Sequence, residues 1–183
     1  MTFSYRQARD MGVSKRALYR WRDEGAIESV GHGLYRRTDA TMADLDLIEI
    51  AHRAPEATLC LTSALVRHGL SDAIPDAHDV AVPRGRRTPV VSAPVTWHRF
   101  APDTFDLGRR DMSLDDQTAI GLYSAERSIV DSFRLTHQQG SEAAHEALRR
   151  WLREGGKPAE LLAVAAHFPR VVTRLRAALD VLL

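Results

Sequence analysis

Between Ser4 and Arg37 two short amphipathic segments each run into a glycine, and the chain then folds back on Gly31-His32-Gly33. That order of stops leaves few folds open. Gly12 ends the first segment, since glycine alone takes the left-handed conformation of a helix C-terminus without strain. Val13 points inward and Ser14 is suited to cap the next helix. In that second helix Leu18 and Trp21 fall three apart on one face with Ala17 beside them, and Gly25 stops it. Ala26–Val30 and Leu34–Arg37 read as strands joined by a tight turn that accepts positive φ. The spacing therefore predicts helix, turn, helix and hairpin.

Charge gives that scaffold a direction. Residues 1–40 hold eight Lys or Arg against five acids, and Asp23 and Glu24 fall at the far end of the second helix. Its N-terminal half is free of negative charge. A short helix pair with a cationic second helix and a basic hairpin is the order of a winged helix-turn-helix, whose second helix enters a DNA major groove. Lys15, Arg16, Tyr19 and Arg20 are the candidate groove-facing residues, with Arg16 and Arg20 able to hold guanine edges in bidentate fashion. Arg22 continues the same face. Ser14 and the helix start would meet a phosphate, and His32, Arg36 and Arg37 would touch the minor groove or backbone. The competing reading is a solvated cationic face on a helix pair with no nucleic-acid role. Only three residues precede Ser4, so the helix that ordinarily comes before such a pair is either missing or supplied by Met42–Ala54.

The full chain has 183 residues and a net charge of +1. Any nucleic-acid contact must come from local patches. The length suits one or two domains with an ample core. One cysteine, Cys60, rules out an intrachain disulfide or a cysteine-based zinc site, and its leucine neighbours point to an inert buried thiol. The start runs straight into a polar helix without a signal segment, and no apolar run approaches the roughly 20 residues that span a bilayer. A cytoplasmic protein with no membrane partner is expected.

Beyond Thr41, taken as a cap, Met42–Ala54 has helical spacing and Pro55 ends it. Thr58–Leu70 starts as strand or helix and becomes a helix over Ser63–His68. Asp79–Pro83, Pro94–Phe100 and Thr118–Tyr123 read as strands. Ser124 caps a helix to about Thr136 with Ile129, Val130 and Phe133 inward, and Ser141 caps Glu142–Arg153. Pro158 opens a helix to His167, and Pro169 opens the last one. The expectation is an α+β chain: a winged helix-turn-helix over 1–40, then a mostly helical domain with a small β-sheet over 41–183.

Chemistry is harder to place. The eight histidines show no paired helical spacing with a glutamate, so no metal site is expected. A metal-dependent nuclease would place acids and a lysine on adjacent strands, yet neither lysine lies in the strand region. No glycine-rich phosphate loop or serine elbow occurs. No catalytic residue and no cofactor is assigned. Arg84, Arg86 and Arg87 form a basic loop that is either solvated or a set of phosphate contacts.

Two further runs, Ser63–Leu70 and Tyr123–Asp131, follow the N-terminal pattern of Gln7-Ala8, Gly12-Val13-Ser14, Leu18, Gly25 and Val30–Tyr35. In that order they resemble the AbiEi antitoxins of bacterial toxin–antitoxin systems, first grouped with abortive phage infection. The resemblance implies a winged-helix domain that binds double-stranded promoter DNA and represses its own operon. It also implies a C-terminal domain that counters a nucleotidyltransferase-like toxin; the missing catalytic motifs, read separately, point to a protein that is not an enzyme. The alternative is an interaction protein that does not bind DNA and neutralises the toxin by direct contact.

Overall fold

A strand, not a helix, comes before the helix pair. In the computed structural model, which describes residues 2–39 and 44–182, β1 (Thr2–Ser4) leads into α1 (Tyr5–Asp10). Ser4 ends the strand and caps the helix: its side chain accepts from Gln7 N–H while the Gln7 side chain accepts from Ser4 N–H. Gly12 takes a φ of +81°, and Ser14 caps α2 (Lys15–Asp23) by accepting from Ala17 N–H. Gly25 turns the chain into β2 (Ile27–Gly31), and β3 (Leu34–Arg37) returns through His32 and Gly33. The three strands form an antiparallel sheet in the order β1-β3-β2. Phe3, Ala8, Leu18 and Ile27 make the buried core of this unit, with Val13, Trp21 and Tyr35 packed around it.

The helix expected from Met42 is α3 (Leu45–Arg53), capped by Asp44, whose side chain accepts from Leu47 N–H. Thr41 and Met42, where the sequence placed its start, lie outside the described residues. α3 does not complete the helix-pair core, because Leu47, Ile50, Ala51 and Ala54 pack on a second sheet against Leu59, Val80 and Ile120. That sheet has five strands: β4 (Thr58–Leu59), β5 (His78–Pro83), β6 (Val95–Phe100), β7 (Arg109–Ser113) and β8 (Ala119–Tyr123). Their order is β6-β5-β4-β8-β7, with β5/β6 and β4/β8 parallel and the other pairs antiparallel. The expected small sheet of three strands thus gains β7 at its edge, and the start of Thr58–Leu70, open between strand and helix in the sequence, is the short central strand β4.

The far face of the sheet carries Ala81, Phe100 and Tyr123, and α4 (Leu61–Arg67) begins there. Beyond it lies a helical layer. α5 (Ala125–Arg134), capped by Ser124, is its axis, and α6 (Thr136–Gln139), α7 (Ser141–Arg153), α8 (Pro158–Ala165) and α9 (Pro169–Leu182) follow. Ile129, Val130 and Phe133 of α5 pack with Leu148 and Trp151 of α7, Leu161 of α8 and Leu175 of α9. Ser141 is the first residue of α7 rather than its cap. Gly140, at a φ of +80°, stands in that place and offers no side chain.

The first unit rests on the second at named contacts. Thr2 Oγ1 donates to Asp115 Oδ2 at 3.0 Å, and Arg53 donates to the His32 carbonyl. Gly31 lies so close to Glu49 of α3 that a Cβ there would come within 2.4 Å of its carboxylate. That carboxylate is buried and held by Ser92 N–H and Ala93 N–H at 2.9 and 3.1 Å, so it has no room to move aside.

Candidate nucleic-acid interface

α2 is anchored by one side and free on the other. Leu18 is fully buried and Trp21 half-buried, while Ser14, Lys15, Arg16, Tyr19, Arg20 and Arg22 are all exposed. The 3.6-residue period alone produces this split, since the apolar positions are too few to cover more than one stripe. The exposed side chains are not equally available. Arg22 pairs with its neighbour Asp23 at 2.8 Å, and that carboxylate raises its already high pKa. Arg20 lies 3.9 Å from Glu24, one turn on. Tyr19 is flanked by two cations, with Lys15 Nζ at 5.5 Å and the Arg22 guanidinium at 5.0 Å from the ring centre. Lys15 and Arg16 have no carboxylate partner among the described residues.

Two shallow concavities flank Tyr19. One, of about 800 Å³, is walled by Lys15, Tyr19 and Arg22 on one side and by Ser29–Gly33 of the hairpin on the other, with His32 at its lip. The second, of about 690 Å³, holds Ser14, Arg16, Tyr19 and Arg20. The sequence-predicted groove residues are therefore brought together on one helix, and His32 joins them from the hairpin.

Arg36 does not. Its side chain is 6% exposed and reaches Glu28 Oε1 at 3.4 Å across the β2/β3 pair. Strand alternation puts it on the face of buried Leu34, two residues before, so it is a structural cation and not a surface contact. Arg37 points the other way and is exposed, chelating Asp39 with Nε–Oδ1 at 2.9 Å; that guanidinium holds the Asp39 carboxyl below the usual range. Arg84, Arg86 and Arg87 are exposed in the turn between β5 and β6 and line neither concavity, and Arg86 pairs with Glu56 at 2.7 Å.

Sequence reasoning missed a second charged constellation. Arg127 and Asp131 are fully buried on α5 and meet at 2.8 Å. Arg127 also donates to the carbonyls of Thr104 and Leu107 at 2.7 and 2.9 Å, and its guanidinium lies 4.5 Å from the Tyr123 ring centre and 4.7 Å from that of Phe168. Burial pushes the Asp131 carboxyl up, and Arg127 and Arg134 pull it back. Burial likewise raises the Cys60 thiol well above its ordinary value, which suits an unreactive core residue. Among the described residues no group of three or more His, Cys, Asp or Glu is placed to hold a metal ion, and no helix is long and apolar enough to cross a membrane.

By class, the N-terminal unit is a helix–turn–helix with an attached β-hairpin, presenting a cationic second helix. Residues 2–38, which span this whole unit, match the family model described as transcriptional regulator, AbiEi antitoxin. The match agrees with the family that the sequence pattern resembles. No curated protein matches the chain.

Proposed function

We propose that this chain is an AbiEi-type antitoxin that represses its own operon by binding the promoter duplex, and that its C-terminal part counters a nucleotidyltransferase-like toxin. In this reading residues 1–40 are a winged helix-turn-helix domain and residues 41–183 the antitoxin domain. The protein works in the cytoplasm as a binding protein rather than an enzyme. What carries the reading is that Lys15, Arg16, Tyr19 and Arg20 all face solvent from a helix whose opposite side is pinned by fully buried Leu18, within the segment that matches the regulator family. An anchored cationic helix holds its side chains in register for a groove, which a loose basic tail does not.

The test is a mobility shift on the inverted repeats upstream of the operon, titrated across salt. Arg16→Ala with Arg20→Ala is expected to lose about 1–3 kcal/mol per guanine contact and to flatten the salt slope by about one for each phosphate contact removed. The thermal midpoint of the variant should stay near wild type, since both side chains are exposed. If the double variant binds as tightly as wild type at every salt concentration, α2 is not the reading helix. Co-purification with the product of the adjacent gene, retained in a variant that has lost the duplex, would assign neutralisation to the remainder of the chain.

A further inference from the structure

Where α5 ends beside the start of α9, the fold leaves a cavity of about 570 Å³ lined by Arg134, His167, Phe168, Arg170 and Arg174, with Asp103 as its one carboxylate. The volume is that of a small-ligand site, and the charge within it is unbalanced. Behind the wall Arg127 and Arg134 both reach Asp131 at 2.8 Å, so a single carboxylate stands against two guanidiniums. The Arg134 guanidinium lies 4.9 and 4.7 Å from the ring centres of Phe100 and Phe168, within cation–π reach of both. Its Nε is buried, while the side chain as a whole remains 26% exposed and lines the cavity. Arg170 and Arg174 sit one turn apart on α9, are exposed, and have no ion pair among the described residues. A planar guanidinium with further arginines around it matches the tetrahedral oxygens of phosphate.

We propose that this cavity binds a phosphate group, carried either by free phosphate or by a nucleotide, with Arg134, Arg170 and Arg174 together facing its oxygens. The site is separate from α2 and does not depend on the DNA reading.

The experiment is calorimetric titration of the full chain, at constant ionic strength and without DNA, with inorganic phosphate, a nucleoside monophosphate and a nucleoside triphosphate. At least one should bind at 1:1 with a Kd below about 1 mM. Arg170→Ala with Arg174→Ala, which leaves the buried cluster intact, should weaken it at least about tenfold, with a thermal midpoint in ligand-free buffer close to wild type. Equal affinity for phosphate and nucleotide would make the phosphate group the whole ligand, and tighter nucleotide binding would add contacts to the sugar or base; either outcome supports the site. The proposal is overturned if none of the three binds with a Kd below about 1 mM, or if the variant binds as well as wild type.

Discussion

Arg36 and Arg37 are adjacent in sequence and opposite in circumstance. Both are cations at the end of a basic hairpin, and composition gives no reason to tell them apart. Alternation does: Arg36 shares the parity of buried Leu34, on the side of the sheet away from the helix pair, whereas Arg37 lies opposite Ile27 on the side of Tyr35 at the exposed end of the strand. Arg36 is paired with Glu28 across the sheet and Arg37 with Asp39 in solvent. Arg36→Ala is therefore expected to lower stability by about 1–3 kcal/mol, because it strips a buried partner from the sheet. Arg37→Ala should stay within about 0.5 kcal/mol. Urea unfolding of the two variants checks this, and equal midpoints would show that Arg36 contributes no more than a surface charge. The parity was present in the sequence. It was overridden there by the sign of the charge, which alone says where a group prefers to be and not where its strand puts it.

Among the elements, α5 was easiest to locate and hardest to interpret. Ser124 as its cap and Ile129, Val130 and Phe133 as its inner stripe are all as the sequence indicates. A stripe of that kind implies a polar outer face, yet Arg127, Ser128, Asp131 and Ser132 are buried as well. The readable signal was the pair of serines four apart: Ser128 Oγ donates to the Ser124 carbonyl and Ser132 Oγ to the Ser128 carbonyl, at 2.8 and 2.9 Å. Short side chains that satisfy themselves within the helix let neighbouring elements close in. β7 escaped for the opposite reason. It is an edge strand, R-R-D-M-S, with most of its side chains in solvent, so the hydrophobic alternation is missing. The register of α5 leads to a strong expectation. Arg127→Ala leaves Asp131 buried with Arg134 as its remaining partner, and breaking such a pair costs about 3–5 kcal/mol. The double variant Arg127→Leu with Asp131→Leu should be less destabilised than Arg127→Ala, since no buried charge of that pair is then stranded. Chemical denaturation of both decides it; a single variant within about 1 kcal/mol of wild type would mean water reaches the pair.

At the scale of the molecule, the N-terminal unit has five buried apolar side chains among the described residues, Phe3, Ala8, Leu18, Ile27 and Leu34, too few to stand alone. Its position depends on its contacts with α3 and the turn between β7 and β8, and that seam contains two groups whose titration opposes folding in acid. His52 of α3, with Nε2 3.5 Å from Thr118 Oγ1, is held below its ordinary pKa by burial, and nearby Asp115 only partly restores it. Burial works to raise Asp115 itself, but hydrogen bonds from Gln117, Thr118 and Thr2 override it and keep the carboxyl below its usual range. Both shifts have the same consequence. A depressed folded pKa means that the unfolded chain takes up its proton first, so stability is complete above the unfolded value and declines as pH falls towards the folded one. For His52 the decline starts near the unfolded value of about 6.5, and for Asp115 near about 3.9. Unfolding midpoints should thus hold from pH 8 to 7, begin to fall as pH drops below about 6.5, and fall again below about 3.9. His52→Gln should remove the first step and leave the second. Asp115→Asn should shrink the second step, to which Asp39, Asp72 and Glu146 also contribute, and lower the plateau, because it loses the ionised acceptor for Thr2. Since Asp115 is the acceptor that ties Thr2 of β1 to this seam, protection against hydrogen exchange at Phe3 and Tyr35, partners in the β1/β3 register, should fall in the second window before that of the α5 amides. A midpoint that does not change between pH 7 and 5, in wild type and His52→Gln alike, would show that the seam is open to water and that the first unit is held by other means.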